Sequence, residues 1–237
     1  MIATRLSRVP PFERGLTLGD FLVPIRLGER AAIWQRNLLM IAVGTALIVA
    51  GAYVSFSVPQ IAIGNVYVPA NPYVPFSLQT FSVLFAGATL GFRRGLACTI
   101  LYLLLGVVGL PVFAVNANGV HASGLATILS AKDGHIVLGA TGGYLIGFVL
   151  AAGVVGRLAE LGWDRHLRGS IAAMLIGSVA IYVVGLPWLA AAASLDVAKT
   201  LQFGLWPFVP GDIVKLLVAA GLLPVGWRLV ARRPDDR

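Results

Sequence analysis

The chain has 237 residues, of which 58% are hydrophobic and 12% charged, and its formal net charge is +8. Because soluble domains carry about 25% charged residues, a mean hydropathy of +0.86 excludes a soluble protein and predicts an all-α membrane protein. The basic residues lie between apolar runs, which argues against a nucleic-acid partner. The single cysteine, Cys98, excludes an intramolecular disulfide and a multi-cysteine metal site.

Six apolar runs approach the length of about 20 residues that a helix needs to cross the hydrocarbon. They lie at residues 38–58, 76–92, 95–113, 135–156, 169–193 and 208–230. We expect one six-transmembrane-helix bundle over 38–230, preceded by a cytoplasmic or interfacial extension, 1–37, and followed by a tail, 231–237. Reading the first run as a cleaved signal peptide is disfavoured, because the run is too long and its charged lead too extended.

The cationic residues predict the orientation of the bundle. All fifteen arginines fall on one side: Arg5, Arg8, Arg14, Arg26, Arg30, Arg36, Arg93, Arg94, Arg157, Arg165, Arg168, Arg228, Arg232, Arg233 and Arg237. The other side holds only Lys132 and Lys199. Cytoplasmic loops retain Lys and Arg, so both termini are expected in the cytoplasm.

The five tryptophans fit an interfacial belt in this orientation. Trp34, Trp163 and Trp227 fall at the inner boundary, and Trp188 and Trp206 near the outer one.

An acid and a base stand three residues apart in the last span. Asp212 and Lys215 share one face of a helix, and ionisable groups at membrane depth are expensive and usually functional. Pro210 suits a first helical turn, and Gly211 lets another group approach the backbone. The alternative is an ion pair that only fastens helices together.

Other polar residues begin spans that run in the same direction. Gln79 and Thr80 open the second span, and Thr141, Gly142, Gly143 and Tyr144 fall early in the fourth. If these helices adjoin, their polar groups form an outward-facing site with Asp212 and Lys215. The glycines admit either a ligand or a neighbouring helix, and Tyr144 is either a donor or a core residue.

The outer loops, 59–75 and 114–134, are long and almost uncharged, and the second carries Asn116, Asn118 and His121. Loops of this length act as lids or as bare connectors. His121 and His135 have no partner cluster, so no metal site is expected.

In the first span Ala42, Ala46 and Ala50 recur every fourth residue. Small residues at this spacing admit another helix, either from this chain or from a partner subunit.

The motifs of several catalytic classes are missing. There is no G-x-x-x-x-G-K-[ST] phosphate loop, no H-E-x-x-H zinc helix and no G-x-S-x-G elbow. We therefore expect no enzyme and no cofactor, and any nucleotide-driven motor must lie in another chain. A carrier built from two internal repeats is also disfavoured.

Five segments in order resemble the BioY family, the biotin-binding S components of energy-coupling-factor (ECF) transporters. They are Val-Pro-Phe-Ser-Leu-Gln-Thr at 74–80, the run 101–113 that ends Gly-Leu-Pro-Val-Phe, Thr-Gly-Gly-Tyr-Leu-Ile-Gly-Phe at 141–148, Leu-Pro-Trp at 186–188, and Phe-Val-Pro-Gly-Asp at 208–212 followed by Lys215. The resemblance covers about 38–230. The extension before Arg36 and the loop from Val115 to Asp133 are longer than the family pattern.

The resemblance implies an S component that takes up biotin across the cell membrane, with an ECF scaffold subunit and two cytoplasmic ATPases as partners. It implies that Ala42, Ala46 and Ala50 dock the scaffold. Alternatives are a solitary biotin facilitator, an accessory membrane subunit without its own ligand, and a membrane-embedded enzyme.

With biotin as ligand, Asp212 is expected to accept from the ureido N–H groups, and Lys215 to donate to the ureido oxygen or the carboxylate, or the reverse. Tyr144, Gln79 and Asn116 or Asn118 would add polar contacts. Thr141 shares this site, Gly142 and Gly143 would admit the rings, and Phe113 and Trp188 would cover the thioether ring.

Overall fold

The computed structural model describes residues 16–22, 30–56, 61–63, 66–68, 71–116, 118–132 and 135–231. Most of the predicted extension and tail, part of the loop 59–75, and the side chain of Arg30 therefore lie outside the described residues. The helices are α1 (Leu18–Leu22), α2 (Arg30–Tyr53), α3 (Gln79–Val108), α4 (Gly142–Glu160), α5 (Leu167–Ala193), α6 (Val197–Gly204) and α7 (Val209–Ala231). Of these, α2, α3, α4, α5 and α7 are long and apolar enough to cross a membrane.

Short antiparallel strand pairs lie in the connections from α2 to α3 and from α3 to α4. The strands are β1 (Ser55–Phe56), β2 (Ile61–Ile63), β3 (Val66–Val68), β4 (Phe76–Ser77), β5 (Leu129–Lys132) and β6 (His135–Leu138). They pair as β1 with β4, β2 with β3, and β5 with β6, the last in a register that places Lys132 opposite His135.

The predicted second and third spans form the single helix α3, which is broken at Gly91. Gly91 has φ +82° and ψ −178°, a conformation that residues with a Cβ rarely adopt. A Cβ on Gly95 would lie 3.0 Å from Cα of Gly87, whereas eight residues of straight helix advance about 12 Å. The chain therefore turns back at Gly91, and α3 has two arms, 79–90 and 92–108.

Helix α4 lies at the centre of the bundle and is the most buried of the five long helices. Its small residues allow neighbouring backbones to approach closely: a Cβ on Gly156 would lie 2.5 Å from the carbonyl carbon of Gly91, and one on Gly147 would lie 2.9 Å from the carbonyl oxygen of Ile181. The long helices α3 and α5 thus both pack against α4.

Several predicted boundaries were wrong. The fourth span was expected from residue 135, but His135–Leu138 pairs with Leu129–Lys132 and the helix begins at Gly142. Its β-branched Ile136 and Val137 suit a strand as well as a helix, which a hydropathy argument does not separate. The first helix starts at Arg30 and ends at Tyr53, rather than spanning 38–58.

Helix α1 packs on the bundle at the end where α3 turns. Asp20 accepts hydrogen bonds from Thr17 and Arg36 and pairs with Arg94 at 2.8 Å. Burial alone would raise the pKa of Asp20, but the hydrogen bonds from Thr17 and the charge of Arg94 lower it below its ordinary value. The ring of Phe21 meets Trp227 edge-on, with centroids 5.5 Å apart.

Trp227 is fully buried, so its predicted place in an interfacial belt was wrong. Its Nε1 donates to Oδ2 of Asp164 at 2.6 Å, and the Arg165 guanidinium lies 4.2 Å from the ring centroid. Burial raises the pKa of Asp164 to about 6, although the Trp227 hydrogen bond and the Arg165 charge act in the opposite direction. This polar cluster packs next to α1, at the end of the bundle where α3 turns.

Candidate functional site

A cavity of about 540 Å³ lies at the end of the bundle opposite the Gly91 turn. Its wall comes from the starts of α3, α4 and α7, from α5 around Ile181 and Tyr182, and from the loops 71–77, 113–127 and 139–141. Ligand cavities are typically about 300–1,000 Å³ and mostly apolar with a few polar groups. This cavity has the same character, with Phe113, Leu145 and Phe148 beside the acid–base pair.

Asp212 and Lys215 form an ion pair in the cavity wall. Lys215 Nζ lies 2.6 Å from Asp212 Oδ1, and the two side chains are 17% and 13% exposed. Their spacing of three residues brings them together on one face of α7, over its first two turns. Each charge therefore has its counter-charge in the same largely buried surface.

The partners of Lys215 use its full donor capacity. Besides Asp212, Nζ donates to the hydroxyl of Thr80 at 3.0 Å and to the carbonyl of Ser77 at 3.1 Å. An ammonium has three protons, so the described residues already supply one acceptor for each. A ligand oxygen must displace one of these partners to reach Lys215.

Asp212 keeps spare acceptor capacity. Its Oδ1 accepts from Lys215 and, at 3.4 Å, from the Thr80 hydroxyl, while its Oδ2 accepts from the Tyr182 hydroxyl. A carboxylate offers about four lone-pair sites. One site on Oδ2 therefore remains for a donor that enters the cavity.

The structure places six of the nine predicted ligand residues on the cavity wall: Asp212, Lys215, Tyr144, Thr141, Gln79 and Asn116. Besides the ion pair, three of these already have protein partners. The Gln79 amide donates to the Tyr102 hydroxyl, and the Tyr144 hydroxyl donates to the Gly204 carbonyl at 2.9 Å. Oδ1 of Asn116 accepts from the backbone of Asn118 and Val120, which shapes its own loop.

Gly142, Gly143 and Asn118 are not on the cavity wall. The two glycines face Trp188: a Cβ on Gly142 would lie 2.9 Å from Trp188 Nε1, and one on Gly143 would lie 2.2 Å from Trp188 Cβ. Trp188 was expected to cover a ligand ring, but it is absent from the wall and its Nε1 donates to the Gly139 carbonyl at 2.9 Å. Gly142, Gly143 and Trp188 therefore pack the start of α4 against α5, outside the cavity wall.

Tyr182 is the main residue that the sequence analysis missed. It lies on α5, lines the cavity and donates to Asp212. A phenol in the middle of a long apolar run is the available sequence signal. Thr80, which the sequence marks only as a polar residue at the start of a span, hydrogen-bonds both Asp212 and Lys215.

Loops form the rest of the cavity wall. Asn71 is buried, accepts from the backbone of Tyr73 and Val74, and donates to the Phe203 carbonyl at 2.7 Å. On another side the His121 ring stacks on Tyr53, with centroids 4.0 Å apart. These contacts fix loops that sequence alone left as lids or connectors.

Within the part of the chain that the structure describes, no group of three His, Cys, Asp or Glu side chains could hold a metal ion. The chemistry available in the cavity is hydrogen bonding and ion pairing beside an apolar wall.

The BioY family model matches residues 27–232 of this chain. The biotin transporter BioY of Thermotoga maritima is 36% identical over 186 residues, which cover 78% of this chain and 92% of that protein. The probable biotin transporter BioY of Pyrococcus horikoshii is 33% identical over 184 residues, or 78% and 91% of the two chains.

A solved structure has the same fold. It is the crystal structure of the S-component for biotin from an ECF-type ABC transporter, which matches with a TM-score of 0.65 and 24% sequence identity over 87% of this chain and 96% of that one. The family match extends over most of the sequence and includes every helix that contributes to the cavity. The chain belongs to the BioY family.

Proposed function

We propose that this protein is the substrate-binding S subunit of a biotin uptake system in the cell membrane. The observation that carries the proposal is the ion pair of Asp212 and Lys215 in the cavity wall, with a free acceptor site on Asp212. The family match and the names of the relatives supply the ligand.

Biotin has two ureido N–H donors, a ureido carbonyl, an apolar thioether ring and a carboxylate tail. Asp212 accepts one ureido N–H at the open site on Oδ2. The Thr80 hydroxyl, whose bond to Asp212 is long at 3.4 Å, releases that bond and donates to the ureido oxygen. Lys215 donates to the same oxygen once the ligand displaces one of its three protein acceptors. Apolar side chains such as Phe113 and Phe148 face the thioether ring.

The arginines support the orientation that we propose for the bundle. Among the described residues, Arg36, Arg93, Arg94, Arg157, Arg165, Arg168 and Arg228 all lie toward the end where α3 turns at Gly91. By the positive-inside tendency this end faces the cytoplasm, so both termini are cytoplasmic and the cavity receives biotin from outside.

Transport energy comes from partner subunits. This chain has no phosphate loop of the G-x-x-x-x-G-K-[ST] type, and we propose that an ECF scaffold subunit and two cytoplasmic ATPases supply the work. Ala42, Ala46 and Ala50 are all exposed on one face of α2, as a helix-docking face requires. Transport needs no cofactor bound to this chain.

Isothermal titration of the purified protein with biotin, dethiobiotin and an unrelated vitamin tests the assignment. Biotin is expected to bind most tightly and the unrelated vitamin not at all. Asp212→Asn and Lys215→Met should each weaken biotin binding by at least a hundredfold. Removing one partner leaves the other charge buried without a counter-charge, which costs several kcal/mol. Near-native affinity in both variants would mean that the pair is only structural.

A further inference from the structure

A second cavity, of about 780 Å³, opens at the opposite end of the bundle from the biotin cavity. We call it the basic cleft. Its described lining consists of Thr17, Asn37, Ile41, Leu90, Phe92, Arg93, Arg94, Arg157 and Glu160. It lies where α1, α2, the Gly91 turn of α3 and the end of α4 meet, on the side that the arginines assign to the cytoplasm.

The basic cleft has an excess of positive charge. Glu160, its only carboxylate among the described lining residues, is used twice: Oε1 accepts from the Phe92 N–H and Oε2 from Arg157, both at 2.9 Å. Asp20 is shared between Arg94 and Arg36. Four arginines thus face two carboxylates, and Arg93 has no hydrogen-bond or ion-pair partner among the described residues.

Two of the arginines are available to an incoming anion. Arg93 is exposed, and Arg157 is 63% exposed in its pair with Glu160. Exposed ion pairs of this kind contribute little, so an anion can recruit Arg157 without breaking a strong contact. Guanidinium groups bind phosphate oxygens in a bidentate manner.

The remainder of the cleft lining includes apolar and unsatisfied polar groups. Ile41, Leu90 and Phe92 supply the apolar part of the lining, and Phe92 is 41% exposed. Oδ1 of Asn37 is buried and accepts no hydrogen bond from the residues that the structure describes. A ligand that fits has an anionic group, a hydroxyl donor and an aliphatic chain in one molecule.

We propose that the basic cleft binds an anionic phospholipid of the inner leaflet. Its phosphate meets Arg93 and Arg157, a headgroup hydroxyl donates to Asn37, and an acyl chain lies along Ile41, Leu90 and Phe92. Basic pockets between helices on the cytoplasmic side are suited to anionic headgroups. Bound there, the lipid bridges α2, the turn of α3 and the end of α4.

Native mass spectrometry of the full chain tests this site with equimolar dioleoylphosphatidylglycerol and dioleoylphosphatidylcholine. The variant Arg93→Gln/Arg157→Gln should bind phosphatidylglycerol about tenfold more weakly or worse, since each substitution removes one cation that pairs with the anionic headgroup. The matched control is Arg168→Gln/Arg228→Gln, which removes the same charge from exposed arginines at the same end and outside the basic cleft. The control should bind phosphatidylglycerol like the parent chain.

Equal losses in both double variants, or none in either, would overturn the proposal, and so would equal binding of the two lipids. Displacement of the lipid by inorganic phosphate in a hundredfold excess would assign the cleft to free phosphate instead. If lipid binding persisted while partner subunits no longer co-purified with Arg93→Gln/Arg157→Gln, the cleft would be a protein-docking surface. Gel filtration and thermal unfolding establish that both variants are folded.

Discussion

The hydroxyl of Tyr182 donates a hydrogen bond to Oδ2 of Asp212, which lies thirty residues further along the chain. Lys215 and Thr80 hold the other oxygen of the same carboxylate. The acid is thus held between α3, α5 and α7, in the wall of the cavity.

Tyr182→Phe is expected to weaken biotin binding by about tenfold. The substitution removes a hydrogen bond to a charged group, which is worth about 1.5–3 kcal/mol, and part of that free energy serves to orient Asp212 for the ligand. Isothermal titration measures the effect. Tyr53→Phe is the matched control, since its hydroxyl donates to the Pro111 carbonyl at 3.0 Å and does not touch the pair. Equal affinities of the Tyr182→Phe protein and the parent would remove Tyr182 from the site.

Gly143→Ala is expected to destabilise the bundle. The new Cβ would lie 2.2 Å from Trp188 Cβ and 3.0 Å from the Val184 carbonyl oxygen, so α4 and α5 must separate, at a cost of about 1–3 kcal/mol. The measurement is the thermal unfolding temperature in detergent. Gly221→Ala serves as control because nothing lies within 4 Å of its Cβ position, and it should leave the unfolding temperature unchanged or raise it. A Gly143→Ala protein as stable as the control would contradict the close contact.

Ala46→Trp is expected to abolish co-purification of the proposed scaffold subunit while biotin binding stays intact. Ala46 is exposed in the middle of α2, away from the cavity wall, and an indole there prevents close approach of a helix. Pull-down of co-expressed subunits measures the loss. Ala191→Trp, an exposed alanine on α5, should retain the partners, and equal retention by both variants would mean that α2 is not the docking face.

The buried Asp164 predicts a pH dependence of stability. Its pKa is raised to about 6 from the ordinary value of 3.8, so between these two pH values the folded state holds more protons than the unfolded one. The contribution of Asp164 to the free energy of unfolding is therefore greatest below pH 4, and it is lost as the pH rises to 6. Asp164→Asn keeps an oxygen acceptor for Trp227 and removes this titration. The unfolding temperature of the parent relative to the variant should fall by several degrees from pH 4 to 7, and parallel curves would contradict the prediction.

The membrane class, the approximate places of the last two spans and the pairing of Asp212 with Lys215 followed from the sequence alone. Hydropathy reports the free energy of leaving water, residue by residue, and i, i+3 spacing acts within one helix. Such local quantities need no knowledge of neighbours. The family resemblance likewise rested on short segments in order, and the matched family model confirmed it.

Tertiary structure decided the rest, because it depends on contacts between segments far apart in sequence. Hydropathy did not show that Gly142 and Gly143 face Trp188, that Trp227 is buried over Asp164, or that residues 135–138 pair as a strand. Nor did it place Tyr182 on Asp212 or gather Arg93 and Arg157 into one cleft. The sequence determined which residues are expensive to bury in a membrane, and only the packing of helices decided which partners make that burial possible.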